Sequence, residues 1–165
     1  MKKKYNLYYF SPIGLLKIVC DNESVLEVSL QDKKGIETPN KICYLVQQEL
    51  AKYFENTLQC FLVTVNLEGT CFQKKVWQEI SKVPAGQVIT YKELAKRINQ
   101  PTAIRAVANA VGANPILIII PCHRIIGTDH SITGFSAGLH NKIKLLNLEG
   151  NHIKKHVDLK KAVVY

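Results

Sequence analysis

The sequence predicts an α+β fold in two domains. A small N-terminal domain over residues 1–68 combines an antiparallel three-stranded sheet with one helix. A mainly helical C-terminal domain over 69–150 contains a helix-turn-helix, and a basic tail follows over 151–165. Three observations carry this reading. Three short β-prone stretches open the chain, the apolar spacing turns helical from Thr70 onward, and charge is divided unevenly between the halves. Residues 1–70 hold eight Lys against eight Asp or Glu, whereas 71–165 hold 14 Lys or Arg against five Asp or Glu, so the whole net charge of +9 lies in the back half. A neutral front and a basic back point to a polyanionic partner for the second domain. A solvated lysine-rich surface would give the same count.

At 165 residues, 47% hydrophobic and 21% charged, the chain has the make-up of a soluble globular protein able to bury a core. No apolar run reaches the length of a membrane span, and the stretch after Met-Lys-Lys-Lys is too short for the apolar region of a signal peptide. A cytoplasmic protein without a membrane partner is expected. Five cysteines, an odd number with no Cys-x-x-Cys pair, argue against a disulfide framework and a zinc ribbon. His152 and His156 stand four apart but lie in a basic tail without a Cys, so no metal site is expected.

The front elements follow from pattern and punctuation. Stretches 5–10, 15–20 and 25–30 are separated by Ser-Pro-Ile-Gly and Asp-Asn-Glu-Ser, both turn-forming, which gives an antiparallel meander. Residues 31–40 are polar, contain Gly35 and Pro39, and read as a loop. A helix is expected over 41–56, where Ile42, Leu45, Val46, Leu50, Tyr53 and Phe54 share a face. Residues 58–67 read as a strand or extended connector, with Cys60 packing inward, and Glu68-Gly69-Thr70 as a hinge.

In the back half Thr70 is placed to cap a helix over 72–81 that turns Phe72, Val76, Trp77 and Ile80 to a core. Thr90 with Glu93 forms a Thr-x-x-Glu capping box for a helix over 91–99. After Gln100-Pro101-Thr102 comes an alanine-rich helix over 103–111, ending at Gly112. This pair predicts the helix-turn-helix, with Arg105 projecting from a surface of small side chains. Residues 127–138 form a loop rich in Gly, Ser and Thr that can offer backbone groups to a ligand, and a short helix follows over 142–148 with Ile143 and Leu146 inward.

The chemistry sits at 114–124, Asn-Pro-Ile-Leu-Ile-Ile-Ile-Pro-Cys-His-Arg. A rigid buried run that stops at Pro121 and passes into Cys122-His123-Arg124 places a nucleophile beside a base. A lone Cys would be read as a small buried hydrophobe. The Pro-Cys-His-Arg context argues for a reactive thiol.

From Gly69 to Gly150 the chain resembles the O6-alkylguanine-DNA alkyltransferases. The resemblance runs through Gly69-Thr70-Cys71-Phe72-Gln73, Val76-Trp77, Val83-Pro84-Ala85-Gly86, Thr90-Tyr91, Arg105-Ala106-Val107, Asn114-Pro115, Ile120-Pro121-Cys122-His123-Arg124 and Glu149-Gly150. The front domain is similar only in size and general pattern, and the resemblance implies a ribonuclease H-like fold for it.

The resemblance implies DNA repair by irreversible, stoichiometric transfer of an alkyl group from O6-alkylguanine, and from O4-alkylthymine, without a cofactor. It implies Cys122 as acceptor, His123 as base acting through a water, Glu149 as the carboxylate orienting it, and Asn114 as a brace of the loop and of the glutamate–His network. Tyr91 would donate to the departing guanine ring, and the Ser136 backbone N–H would meet O6. Arg105 would enter the base stack where the nucleotide is flipped out. Contacts to double-stranded DNA, through the minor groove, are implied for Thr90, Tyr91, Arg105, Ala106, Ala108, Asn109 and Arg124. Tyr91, Ile125, Phe135, Ser136 and Ala137 would line the base pocket. A monomer is implied, nucleoid-associated in a prokaryote or nuclear in a eukaryote.

The chain departs from the family's usual Gly-Tyr-x-Gly-Gly at Gly134-Phe135-Ser136-Ala137-Gly138, and Ala108 replaces a common Gly. A non-catalytic lesion binder of the same fold is the main alternative, and it would lack the acceptor that Cys122 supplies. A cysteine hydrolase would need further motifs, and a plain helix-turn-helix regulator would not need Pro-Cys-His-Arg.

Overall fold

The computed structural model describes residues 2–151, so His152, His156 and nearly all of the expected basic tail lie outside the described residues. The chain forms two compact units. The first runs to Glu68 and also takes in Pro115–Ile119; the second comprises Gly69–Asn114 and the chain from Ile120 onward. No helix among the described residues is long and apolar enough to cross a membrane.

The first unit is built on strands β1 (Tyr5–Ser11), β2 (Gly14–Cys20) and β3 (Val25–Gln31), paired antiparallel in the order β1-β2-β3. The register sets Leu16 opposite Leu30 and Ile18 opposite Val28. Asp21 fixes the second turn, its Oδ1 accepting from the backbone N–H groups of Glu23 and Ser24 and from the Ser24 hydroxyl. Helix α1 (Lys41–Phe54) is capped by Asn40, which accepts from the Cys43 N–H, and it buries Cys43, Val46, Leu50 and Tyr53. The apolar face anticipated from the sequence is thus the one that packs, although Leu45 is exposed. The helix stops at Phe54 because Asn56 takes a left-handed conformation (φ 57°), with Asn56 and Thr57 donating back to Tyr53 and Lys52.

Residues 58–67 form the connector rather than a strand. Only Val65 makes a bridge, to Val25, and Cys60 is exposed instead of packed. The apolar run also departs from a continuous strand. Ile116 bridges Val28 in parallel, with Val28 N–H donating to Pro115 and Leu117 N–H donating to Val28 (both 2.9 Å). The chain then turns at Ile118, whose φ is 71°, closed by a 2.8 Å bond from Ile119 N–H to the Leu117 carbonyl. A β-branched residue is rarely left-handed, and a turn this tight is strained.

In the second unit, Thr70 and Gln73 form a capping box on α2 (Cys71–Ile80), which buries Val76, Trp77 and Ile80. Trp77 Nε1–H donates to the Ala110 carbonyl at 2.8 Å, tying α2 to α4 (Ile104–Gly112). The anticipated Thr90–Glu93 box is present on α3 (Tyr91–Arg97). This helix ends two residues earlier than expected because Asn99 is left-handed (φ 60°) and precedes Pro101. Helix α4 turns Val107, Ala110 and Val111 inward and leaves Arg105, Ala106 and Asn109 exposed.

Two strands of two residues each, β4 (Ile89–Thr90) and β5 (Ile125–Ile126), pair in parallel. Helix α5 begins at Leu139, three residues before the expected start, and runs to Leu148. It packs Ile143 and Leu146 against Ile126 and Ile132. Gly150 closes it in the left-handed region (φ 89°), a conformation that glycine takes without strain, and so fixes Glu149 as the cap residue.

Candidate active site

Pro121 ends the apolar run with φ −81° and ψ 62°, and Cys122–Arg124 form a single 3-10 turn after it. The Cys122 N–H donates to Ile120 and the Arg124 N–H to Pro121, at 2.8 and 3.0 Å. This tight geometry drives all three side chains inward.

Cys122 is 2% exposed. Asn114 Nδ2 donates to the Ile120 carbonyl at 2.8 Å and to Cys122 Sγ at 3.0 Å. Burial pushes the Cys122 thiol up from its ordinary value, while the Asn114 hydrogen bond and the charge of Lys142 pull it back. A donor aimed at sulfur favours the thiolate, the form that attacks carbon. Asn114 therefore braces the sulfur and the loop directly.

His123 is fully buried, and its Nε2–H donates to Glu149 Oε1 at 2.7 Å. A carboxylate only accepts, so Nε2 carries the ring proton in the neutral tautomer and Nδ1 keeps a free lone pair. Nδ1 has no hydrogen-bond partner among the described residues. Burial lowers the pKa of His123 against the opposing pull of Glu149, which keeps the ring neutral and able to take a proton.

Burial alone would raise Glu149, but the hydrogen bonds from His123 and Arg124 outweigh it and hold the carboxyl at about 2. Arg124 was expected on the DNA side and is instead buried. Its Nε and Nη2 donate to the two Glu149 oxygens at 2.9 and 2.8 Å, and Nη1 donates to the Val83 carbonyl. Three of the five guanidinium N–H donors are thus engaged inside the protein.

Sequence reasoning missed Lys142. Wholly buried on α5, its Nζ donates to the carbonyls of Ile125, Thr133 and Gly134. Burial pushes it down to about 8, against the counter-effect of Cys122. The signal was available: Leu139, Lys142, Ile143 and Leu146 follow the helical period, so position 142 falls on the inward face.

Tyr91 opens α3, half-buried, and its hydroxyl donates to the Thr133 carbonyl at 3.4 Å. Burial first, and then the Cys122 charge, push the phenol up to about 12, so it stays protonated and able to donate. Gly134 has φ 56°, and a Cβ there would lie 3.3 Å from the Tyr91 hydroxyl. The Phe135 ring meets His123 edge to face at 6.4 Å. Ser136 is exposed, and Ala137 is buried with its carbonyl accepting from Asn141 Nδ2 at 2.9 Å. Ile125, expected in the pocket wall, is fully buried in β5 and presents no surface.

Among the other expected DNA contacts, Thr90 is turned inward. Thr90 is buried, and its hydroxyl is used in the cap of α3. Ala108 is only half-exposed, whereas Arg105, Ala106 and Asn109 share the open face of α4.

Residues 71–151 match the family described as 6-O-methylguanine DNA methyltransferase, DNA binding domain. A methylated-DNA–protein-cysteine methyltransferase of Haemophilus influenzae is 41% identical over 90% of this chain and 88% of its own. One from Methanosarcina acetivorans is 40% identical over 89% of this chain and 99% of its own. The crystal structure of Mycobacterium tuberculosis OGT in complex with DNA superposes with a TM-score of 0.79 and 36% identity, covering 86% of this chain and 90% of that one.

Proposed function

Since the chain belongs to the methylated-DNA–protein-cysteine methyltransferase family, we propose that it repairs DNA by direct reversal, moving the alkyl group of O6-alkylguanine onto Cys122 in one irreversible turnover. The observation that carries this reading is the pairing of a donor on sulfur with a carboxylate-oriented imidazole. Asn114 donates to Cys122 Sγ at 3.0 Å, and His123 is held by Glu149 at 2.7 Å.

His123 Nδ1 accepts the thiol proton through one water, since neighbouring side chains on the turn do not face each other. The sulfur lone pair forms the S–C bond while the O6–C bond breaks and leaves its electron pair on guanine. The ring then gains a proton, which balances the one that Cys122 lost. Tyr91, neutral near pH 7 with a pKa of about 12, donates to the departing ring. The Ser136 backbone N–H meets O6 as charge develops there. Lys142, charged beside Cys122, favours the thiolate. The lesion itself brings the alkyl group, so no methyl-donor cofactor enters.

A thiol only 2% exposed cannot reach a base stacked in a duplex, so the nucleotide must be flipped out. The exposed Arg105, Ala106 and Asn109 on α4 support a helix-turn-helix in which α3 and α4 meet the minor groove and Arg105 fills the vacated stack. Tyr91, Phe135, Ser136 and Ala137 then wall the base pocket. The chain acts as a monomer in the compartment that holds the DNA, on guanine and also on O4-alkylthymine, with 69–150 as the reacting domain and 1–68 as a ribonuclease H-like companion.

Incubation with duplex DNA carrying O6-methylguanine, followed by intact mass and peptide mapping, tests the reading. One methyl per protein on Cys122, lost in Cys122→Ala while folding and lesion binding persist, is the expected result. A methyl on exposed Cys60 or Cys71, or lesion binding without any mass gain, would overturn it.

A further inference from the structure

Arg124 brings into the protein interior a full charge that the transfer step leaves unused. Its side chain is 11% exposed and that of Glu149 3%, so little solvent screens the pair. Glu149 Oε1 accepts from both His123 Nε2 (2.7 Å) and Arg124 Nη2 (2.8 Å), while Oε2 accepts from Arg124 Nε (2.9 Å). The third arm, Nη1 to the Val83 carbonyl, anchors the guanidinium to the turn after α2. A planar fork gripping both oxygens fixes the plane of the carboxylate, which a single ammonium does not do.

We propose that Arg124 is the positioning residue of this site: its fork aims the Glu149 carboxylate at His123 and keeps it anionic, so that the proton leaving Cys122 stops on the His123 ring. The proposal rests on the transfer reaction above and deepens it. In that step the S–H bond breaks with its electron pair left on sulfur, an N–H bond forms at His123 Nδ1, and Glu149 gains nothing. Three N–H donors already point at its two oxygens.

A second consequence concerns the basicity of the ring. The charged and titratable groups facing His123 are Glu149 at the end of α5, Arg124 on its own turn, Lys142 from α5, and the adjoining Cys122. Glu149 favours the imidazolium, whereas Arg124 and Lys142 oppose it. Arg124 therefore does two separable things: it aims the carboxylate through its geometry and restrains the ring's basicity through its charge. Without that charge the ring is more basic, and more of it is already protonated at rest and unable to accept from Cys122.

The test uses the full chain with labelled histidine. The His123 ring is titrated by NMR, and single-turnover methyl transfer is followed across pH, in wild type, Arg124→Gln and Arg124→Lys. In Arg124→Gln the His123 midpoint and the acid limb of the rate profile should both move up by about one pH unit. The plateau rate should also fall by about tenfold or more. Arg124→Lys keeps the charge and loses the fork, so its midpoint should stay near wild type while its plateau falls. An unmoved midpoint and acid limb in Arg124→Gln would make Arg124 a structural brace only and overturn the proposal. Should Arg124→Gln not fold, a wild-type plateau in Arg124→Lys overturns it equally. Absence of any transfer by wild type would instead refute the assigned function, and the His123 titration would still decide the effect of Arg124 on the ring.

Discussion

Replacing Asn114 by alanine removes a donor that serves the nucleophile and its loop at once. The Nδ2 contact to Cys122 Sγ is 3.0 Å and the contact to the Ile120 carbonyl is 2.8 Å, both in the interior. A hydrogen bond to a charged group contributes about 1.5–3 kcal/mol. Its loss from the thiolate should raise the Cys122 thiol by about one to two pH units beyond the rise that burial already imposes. Near pH 7 the thiolate fraction, and with it the rate of methyl transfer, should fall by about tenfold to 150-fold. The buried Ile120 carbonyl loses a donor too, at a stability cost of about 1–3 kcal/mol. Spectroscopic titration of the Cys122 thiol, beside single-turnover transfer at neutral pH followed by intact mass, separates the two effects. If Asn114 acts on the charge of sulfur, the thiol midpoint moves up in Asn114→Ala by an amount that accounts for the lost rate. A slower rate with an unmoved thiol midpoint would mean that Asn114 acts only by holding the loop, and the electrostatic argument would be wrong.

Three further outcomes are expected. Arg105→Ala, on the exposed face of α4, should slow repair of duplex DNA far more than reaction with the free O6-methylguanine base; it should change the salt slope of binding by at most about one phosphate contact. Equal loss on both substrates would place Arg105 in support of the pocket. Ala137, buried and braced through its carbonyl by Asn141, would narrow the wall of the proposed base pocket where the family commonly has glycine. Benzyl-sized adducts should therefore react about five- to 150-fold more slowly than methyl, and Ala137→Gly should restore them with little effect on methyl. The same benzylguanine rate in both proteins would move the search to Phe135. Glu149, held at about 2 against an ordinary 4.5, binds fewer protons folded than unfolded between those values. About 3 kcal/mol of stability is thus present above pH 4.5 and lost as pH falls toward 2. Glu149→Gln should flatten that part of the acid-unfolding curve, and an unchanged curve would show that other groups set the acid limit.

The elements that were legible in the sequence are those whose signal is local. The three strands, helix α1, the cap at Thr70 and the box at Thr90 follow from alternation, helical spacing and capping chemistry within a few residues. Boundaries slipped at Asn56 and Asn99, where the helix ends only because the asparagine turns left-handed, and at the start of α5, which has no side-chain cap to mark it. The paired dipeptides Ile89–Thr90 and Ile125–Ile126 could not be read, since two residues carry no periodicity and their partners lie far apart in the chain. In the site, the order Cys122-His123 and the distant Glu149 were anticipated through family resemblance. The inward turn of Arg124 and the burial of Lys142 were not. Each is a cation whose usual place is the surface, and each is satisfied inside by acceptors from elsewhere in the chain: Glu149 and Val83 for one, the carbonyls of Ile125, Thr133 and Gly134 for the other. Thr90 shows the converse. It was assigned to DNA although its hydroxyl was already committed to the helix cap recognised from the same four residues.

The left-handed Ile118 constrains how this chain can change by mutation. Asparagine tolerates a positive φ such as the 71° found there better than isoleucine does. Backbone strain of this kind costs about 1–3 kcal/mol, which Ile118→Asn would relieve. Yet Ile118 is 1% exposed, and burying its side chain contributes about 1.5–3 kcal/mol, which the same change would forfeit while placing an amide in an apolar site. The two terms nearly cancel and the buried amide tips the sum against asparagine. Selection at position 118 is therefore governed by the difference between two opposing costs, four residues before the nucleophile, and variants there will be sparse although the backbone alone would welcome them.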